Sequence, residues 1–241
     1  MAQTRKLPYT TIGSAVPCPG GWLVMPGRLL GATVLAEEPI VIKDFRDVLD
    51  YKPAFTALIV GAPIAFPDRP RPAGHRTAEL EAAAKLAWPR RLAIDPIPSI
   101  PALRAKTFEE AQAIEPWLTR LAYRRFRAYR DVEASIELYH LRRVFSAQPE
   151  LAFQMLNGDE PLGTSRHTVA GQRQRLALVE DRIPGITMIA NDVRLRGVGF
   201  RHLVDAAVLL WSARRVSGRV LSRVPVDPEW NDMGLRMEFV R

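Results

Sequence analysis

Hydrophobic and polar positions along this chain fall into short, often interrupted runs, and their spacing changes character partway through. Residues 8–16 are partly β-branched, and 21–25 and 28–35 alternate around Pro26-Gly27, which predicts a strand followed by a hairpin. KDFRDVLD, 43–50, predicts a short helix over Phe45, Val48 and Leu49. The continuous apolar run TALIVGA, 56–62, closed by Pro63, predicts a buried central strand. A bend through Pro63, Pro67, Pro70 and Pro72 follows, and the period then turns helical over 75–88. Past a second proline-rich stretch, Pro89 to Pro101, helical spacing resumes over 107–140 with an interruption at Pro116. Leu118, Leu121, Tyr129, Val132, Ile136 and Tyr139 form its apolar stripe. The remainder predicts a strand at 143–150 ending in Pro149-Glu150, a helix at 168–181 and a short strand near 186–190. A strong helix at 200–217 and a closing strand at 234–240 complete the pattern. Strands alternating with helices in this order predict a mixed α/β fold, a central sheet with helices on its faces.

Composition narrows the picture. The chain has 241 residues, 47% hydrophobic and 25% charged, enough to bury a core as one large domain or two small ones. The longest nearly apolar stretches, 57–66 and 203–211, fall well short of the roughly 18–20 residues of a membrane span. Arg5 and Lys6 are not followed by a long apolar run, so no secretory signal is expected and a cytoplasmic protein is. A single cysteine, Cys18, excludes an intrachain disulfide and a cysteine-rich metal knuckle. The four histidines (His75, His140, His167 and His202) are too scattered to spell a zinc site. A net charge of +8 favours a polyanionic partner. Seven of the 24 residues from Arg120 to Arg143 are arginine, against the acids Asp131, Glu133 and Glu137. Arg124, Arg125 and Arg127 are therefore candidate contacts for a phosphate backbone, although a solvated helix face is the plainer explanation.

Two acids stand out. Asp205 lies in LVDAAVLLW, apolar nearly all round, so its carboxylate needs a partner such as Arg201 or His202, or a catalytic or metal-facing role. Glu150 follows a proline at the expected end of a central strand, where sites in open α/β sheets gather, or else is an exposed loop acid. LNGDEPLGTSRHT, 156–168, places Ser165, Arg166, His167 and Thr168 before a helix, a composition that suits either a phosphate or a capping loop. Near the N-terminus, PCPGGW, 17–22, bends the chain sharply yet carries no reactive group where a presented side chain would sit.

These segments together resemble domain-of-unknown-function family 429, regarded as predicted nucleases of the ribonuclease-H-like superfamily. CPGGW (18–22), VGAPIAFP (60–67), QPELAFQMLNG (148–158), SRHTVAGQRQRLALV (165–179), LVDAAVLLWSARR (203–215) and GLRMEF (234–239) are similar to its motifs, in the same order. The resemblance implies a single ribonuclease-H-like domain over 1–241 with a helical insertion at about 70–140. It also implies four acidic positions, of which Glu150 and Asp205 match and Val16 and Gly61 do not. Such nucleases hold two divalent ions, and Mg²⁺ or Mn²⁺ needs hard anionic oxygens that valine and glycine lack. The implied protein is a degenerate, non-catalytic relative, with no cofactor or one weakly held metal ion on Glu150 and Asp205. It would bind nucleic acid without sequence preference, or scaffold a protein partner. The alternatives are an active nuclease with a rearranged site on Glu150 and Asp205, and a purely structural protein–protein subunit.

Overall fold

The computed structural model describes residues 9–241. The features expected at Arg5, Lys6 and Pro8 lie outside the described residues. The chain opens with β1 (Thr10–Cys18), β2 (Gly21–Leu30), β3 (Thr33–Ala36) and β4 (Ile40–Ile42), followed by α1 (Phe45–Leu49) and β5 (Ala57–Val60). A helical block comes next: α2 (Thr77–Leu86), α3 (Ile100–Arg104), α4 (Phe108–Ile114), α5 (Arg120–Tyr123) and α6 (Phe126–Ser135). Then follow β6 (Val144–Ser146), α7 (Pro149–Leu156), α8 (Val169–Glu180), α9 (Ile186–Asp192), α10 (Phe200–Ser217), β7 (Arg223–Trp230) and β8 (Arg236–Val240).

Six strands form one mixed sheet in the order β3-β2-β1-β5-β6, with β4 also on β2. β1 is antiparallel to β2 and parallel to β5, which is parallel to β6. β7 and β8 make a separate antiparallel ribbon. Side-chain alternation sorts the central strands onto two apolar layers. Ile12, Val16, Leu23, Met25, Ala57 and Ile59 face the layer containing α10, together with apolar residues of α7, α8 and α9. Ala15, Trp22, Val24, Leu58 and Val60 face the other layer, with α1 and residues of the helical block. Leu203 to Ala213 of α10 are buried without a break, as the sequence pattern requires, and the Ser14 hydroxyl donates to the Ala206 carbonyl at 2.7 Å.

Several sequence expectations need correction. Pro26-Gly27 is not a turn; both residues lie inside β2, and the turns fall at Pro19-Gly20 and Gly31-Ala32. β4 covers Trp22 to Val24 and β3 covers Gly27 to Leu30, so Pro26 sits in the gap between them, where its missing N–H removes no ladder bond. Gly27 is needed for a different reason: a Cβ there would lie 3.0 Å from Leu210 Cδ1 on α10. The helical spacing expected over 107–140, broken at Pro116, takes the form of three short helices and a 3₁₀ turn, Leu138–Arg142, with α4 ending at Ile114 before the proline. Of its stripe, Leu118, Tyr129, Val132 and Ile136 are buried, but Leu121 and Tyr139 are exposed. The segment expected as a strand near 186–190 is α9, because Ile186 and Ala190, one turn apart, both face the core. β7 has no counterpart in the sequence pattern. No helix among the described residues is long and apolar enough to cross a membrane.

Candidate anion-binding cleft

β1, β5 and β6 all end on one side of the sheet, and their carboxyl ends open into a cleft of about 660 Å³. One wall is the PCPGGW turn. Gly20 and Gly21 have φ of +102° and +138°, and a Cβ on Gly21 would meet the Ile42 carbonyl oxygen at 2.2 Å. The turn buries Trp22, whose indole N–H donates to Asp131 Oδ2 at 2.7 Å while the Phe45 amide donates to the same oxygen at 2.8 Å. The turn therefore anchors the helical block to the sheet. Its one reactive group, the half-buried Cys18 thiol, is pushed up by burial, which disfavours the nucleophilic thiolate.

The floor is apolar where acids are expected from the resemblance. Val16 is 4% exposed, and a Cβ on Gly61 would lie 3.0 Å from Val16 Cγ1 and 3.1 Å from Leu209 Cδ1. The two positions touch. Asp205, on α10, lines the same cleft, with Arg166 Nη2 at 3.5 Å from Oδ2 and Oδ1 without a partner. Burial pushes its carboxyl above the usual aspartate range, against the lowering charges of Arg166 and Arg201.

Glu150 is neither at a strand end nor in an exposed loop. β6 stops at Ser146, and Pro149 begins α7, with the Gln148 side chain accepting from the Glu150 and Leu151 amides. Proline at the first helical position and a capping side chain before it are ordinary helix-start signals. The Glu150 carboxylate is gripped at both oxygens by Arg175 of α8, at 2.9 and 2.7 Å, with both side chains nearly inaccessible. Arg175 carries no sequence signal of this, being 25 residues away inside a helix. Glu150 borders a second, smaller pocket of 340 Å³, which shares Asp95, Arg125, Arg166 and Arg201 with the main cleft.

The loop before α8 is a cap. Thr168 Oγ1 accepts from the Gly171 amide at 3.1 Å, and Ser165 Oγ from the His167 amide at 3.3 Å. A Cβ on Gly171 would lie 1.9 Å from the Ser165 carbonyl oxygen, so only glycine lets the loop fold this closely onto the helix. Arg166 lines both pockets, whereas Ser165 and His167 line the smaller one. Arg201 and His202, expected from the sequence only as partners for Asp205, also line the cleft, from the first turn of α10. Their spacing was the available signal, since residue 201 falls one helical turn before 205. The Gly199 amide donates to His202 Nδ1 at 3.0 Å. Burial, then the charges of Arg166 and Arg201, holds His167 below the usual imidazole range; burial, then Arg201, does the same to His202.

Arg124, Arg125 and Arg127 all face the cleft. Arg125 pairs with Asp95, whereas Arg124, Arg127, Arg201 and Lys43 have no ion-pair partner among the described residues. Not every arginine of 120–143 is a free surface charge. Arg130 donates to the Leu103 and Ala105 carbonyls, Arg143 to that of Leu49, and Arg120 pairs with Glu109.

Glu150 and Asp205 do not suit the two-ion centre that the resemblance implies. Arg175 occupies both Glu150 oxygens, Asp205 faces Arg166, and two helix amino ends add positive potential. Among the described residues no group of three or more His, Cys, Asp and Glu side chains is placed to hold a metal ion.

The molecule is thus an α/β protein whose mixed sheet, flanked by helices, ends in an electropositive cleft. The chain belongs to the family described as "Protein of unknown function (DUF429)", whose model matches residues 17–229. Gly61, Glu150 and Asp205 lie within that match and Val16 just before it. No curated protein and no solved structure matches the chain.

Proposed function

We propose that this protein is a non-catalytic relative of metal-dependent ribonuclease-H-like nucleases that binds nucleic acid through its backbone phosphates. The observation that carries this is the composition of the cleft. At the strand ends, Val16 and Gly61 offer no ligand, while Lys43, Arg124, Arg127 and Arg201 stand without ion-pair partners among the described residues. The sheet supports the ribonuclease-H-like reading, since three sequential antiparallel strands are followed by two parallel ones across helical connections. Phosphate contacts by arginine and lysine carry no base information, so recognition would be sequence-independent.

The test is a titration of a single-stranded and a duplex oligonucleotide at several salt concentrations. Each neutralised phosphate steepens the log–log slope by about 0.7–0.9. Binding that weakens with salt is expected, and the Arg124→Ala/Arg125→Ala/Arg127→Ala variant should flatten the slope by about 2. Absence of binding at low salt would replace this reading with a protein-scaffold role. Mg²⁺- or Mn²⁺-dependent cleavage that disappears in Asp205→Ala would replace it with an active nuclease.

A further inference from the structure

Three helices point their amino ends at the junction of the two pockets. Gln148 and Pro149 start α7, Ser165 to Thr168 precede α8, and Arg201 and His202 lie in the first turn of α10. Each end contributes partial positive charge, and the three add where they converge. Arg166 and Arg201 flank the same junction, and burial, then the charge of Arg166, holds Arg201 below the usual guanidinium range. Arg166 Nε is buried without a partner, and the hydrogen-bond contact of the Arg201 guanidinium among the described residues is a long one, 3.5 Å from His167 Nδ1. Donors are therefore in excess. Of the nearby acids, Glu150 is closed off by Arg175, Asp95, which also lines both pockets, is paired with Arg125, and Asp205 sits behind Arg166.

We infer that the 340 Å³ side pocket is a phosphomonoester site, formed by Arg166, Arg201 and the Ser165–His167 loop ahead of α8. This rests on the backbone-binding reading above and deepens it. An internal phosphodiester carries one negative charge and has substituents on two sides, whereas a monoester is dianionic and enters a side pocket from one side. Two guanidinium groups beside a small recess suit the monoester, with short charge-assisted hydrogen bonds to its free oxygens. The pocket opens beside the arginines expected to track a backbone, and Arg125 lines both recesses. A strand could thus lie along the main cleft with its terminal phosphate in the side pocket. A free nucleoside monophosphate presents the same group.

The experiment compares fluorescently labelled 12-mers ending in hydroxyl, in 5′-phosphate and in 3′-phosphate. A hydroxyl-ended 13-mer supplies one extra charge as a diester. Adenosine monophosphate is titrated separately by calorimetry. One phosphorylated end should bind about tenfold tighter than the 12-mer and the 13-mer, a difference of about 1.4 kcal/mol. Arg201→Gln should abolish that preference and weaken the hydroxyl-ended strand by no more than one backbone contact, flattening its salt slope by about 0.7–0.9, and Arg201→Lys should retain part of the preference. Thermal unfolding of both variants checks their folding. Equal binding of all four strands, or a preference untouched in both variants, overturns the side pocket and leaves the backbone reading intact. Binding of adenosine monophosphate with no strand bound overturns the backbone reading and keeps the pocket. If neither strands nor monophosphate bind, both fall.

Discussion

Replacing Arg175 by methionine removes a guanidinium that holds Glu150 by two hydrogen bonds, with side-chain exposures of 1% and 2%. Methionine keeps much of the chain length but leaves a buried carboxylate without its counter-charge. Breaking a buried pair from one side costs about 3–5 kcal/mol. Arg175 also donates to the Thr164 and Gly171 carbonyls, at 3.2 and 3.0 Å, which are worth about 1 kcal/mol each. The expected loss therefore lies near the top of the range, and melting should fall by roughly 10 °C or more. Glu150→Leu alone should also destabilise, by stranding Arg175. The Glu150→Leu/Arg175→Met double variant should recover most of the loss, since apolar replacement of a buried pair is often close to neutral. Urea unfolding of the four proteins completes the cycle. A loss below about 1 kcal/mol in Arg175→Met, typical of an exposed pair, would refute the structural role assigned to Glu150. So would simple additivity in the double variant.

Asp131→Ala should cost about 2–3 kcal/mol in urea unfolding, because the Trp22 indole and the Phe45 amide both lose a charged acceptor. Gly171→Ala should destabilise by about 1–3 kcal/mol and weaken oligonucleotide binding, because the new methyl displaces the Ser165 carbonyl. For Asp205, a folded-state pKa raised by burial favours the protonated form. That contribution is complete below the ordinary aspartate value of about 3.9 and is lost as pH rises through the raised value. Asp205→Asn should therefore gain stability relative to wild type between pH 4 and pH 7, by urea unfolding. A constant difference across that range would contradict the assignment.

The layered core was readable wherever one physical rule acted alone. The run at 203–213 is apolar on every side, so α10 had to be enclosed, and TALIVGA had to be a central strand. Rules in competition hid the rest. Pro26-Gly27 reads as a turn locally, but strand pairing on both sides of the gap absorbs it. Pro225 and Pro228 argue against a strand, yet β7 tolerates them in a two-stranded ribbon with a register break between Val224 and Glu229. At the cleft, Asp205, Arg166 and the Arg124–Arg127 group were visible as residue types in suggestive places. The partner of Glu150 was not, because Arg175 lies amid the polar positions of α8, which carry no mark of burial. Arginines that brace carbonyls, such as Arg130 and Arg143, look in sequence like those that face the cleft.

The contact between Val16 and Gly61 couples the two sides of the cleft floor. A Cβ at residue 61 would lie 3.0 Å from Val16 Cγ1 and 3.1 Å from Leu209 Cδ1, so a side chain there needs both neighbours to give by a few tenths of an ångström. A smaller residue at 16 relieves only one of the two contacts. Directed evolution toward an acidic floor should therefore favour combined changes around residue 61 over a single substitution there.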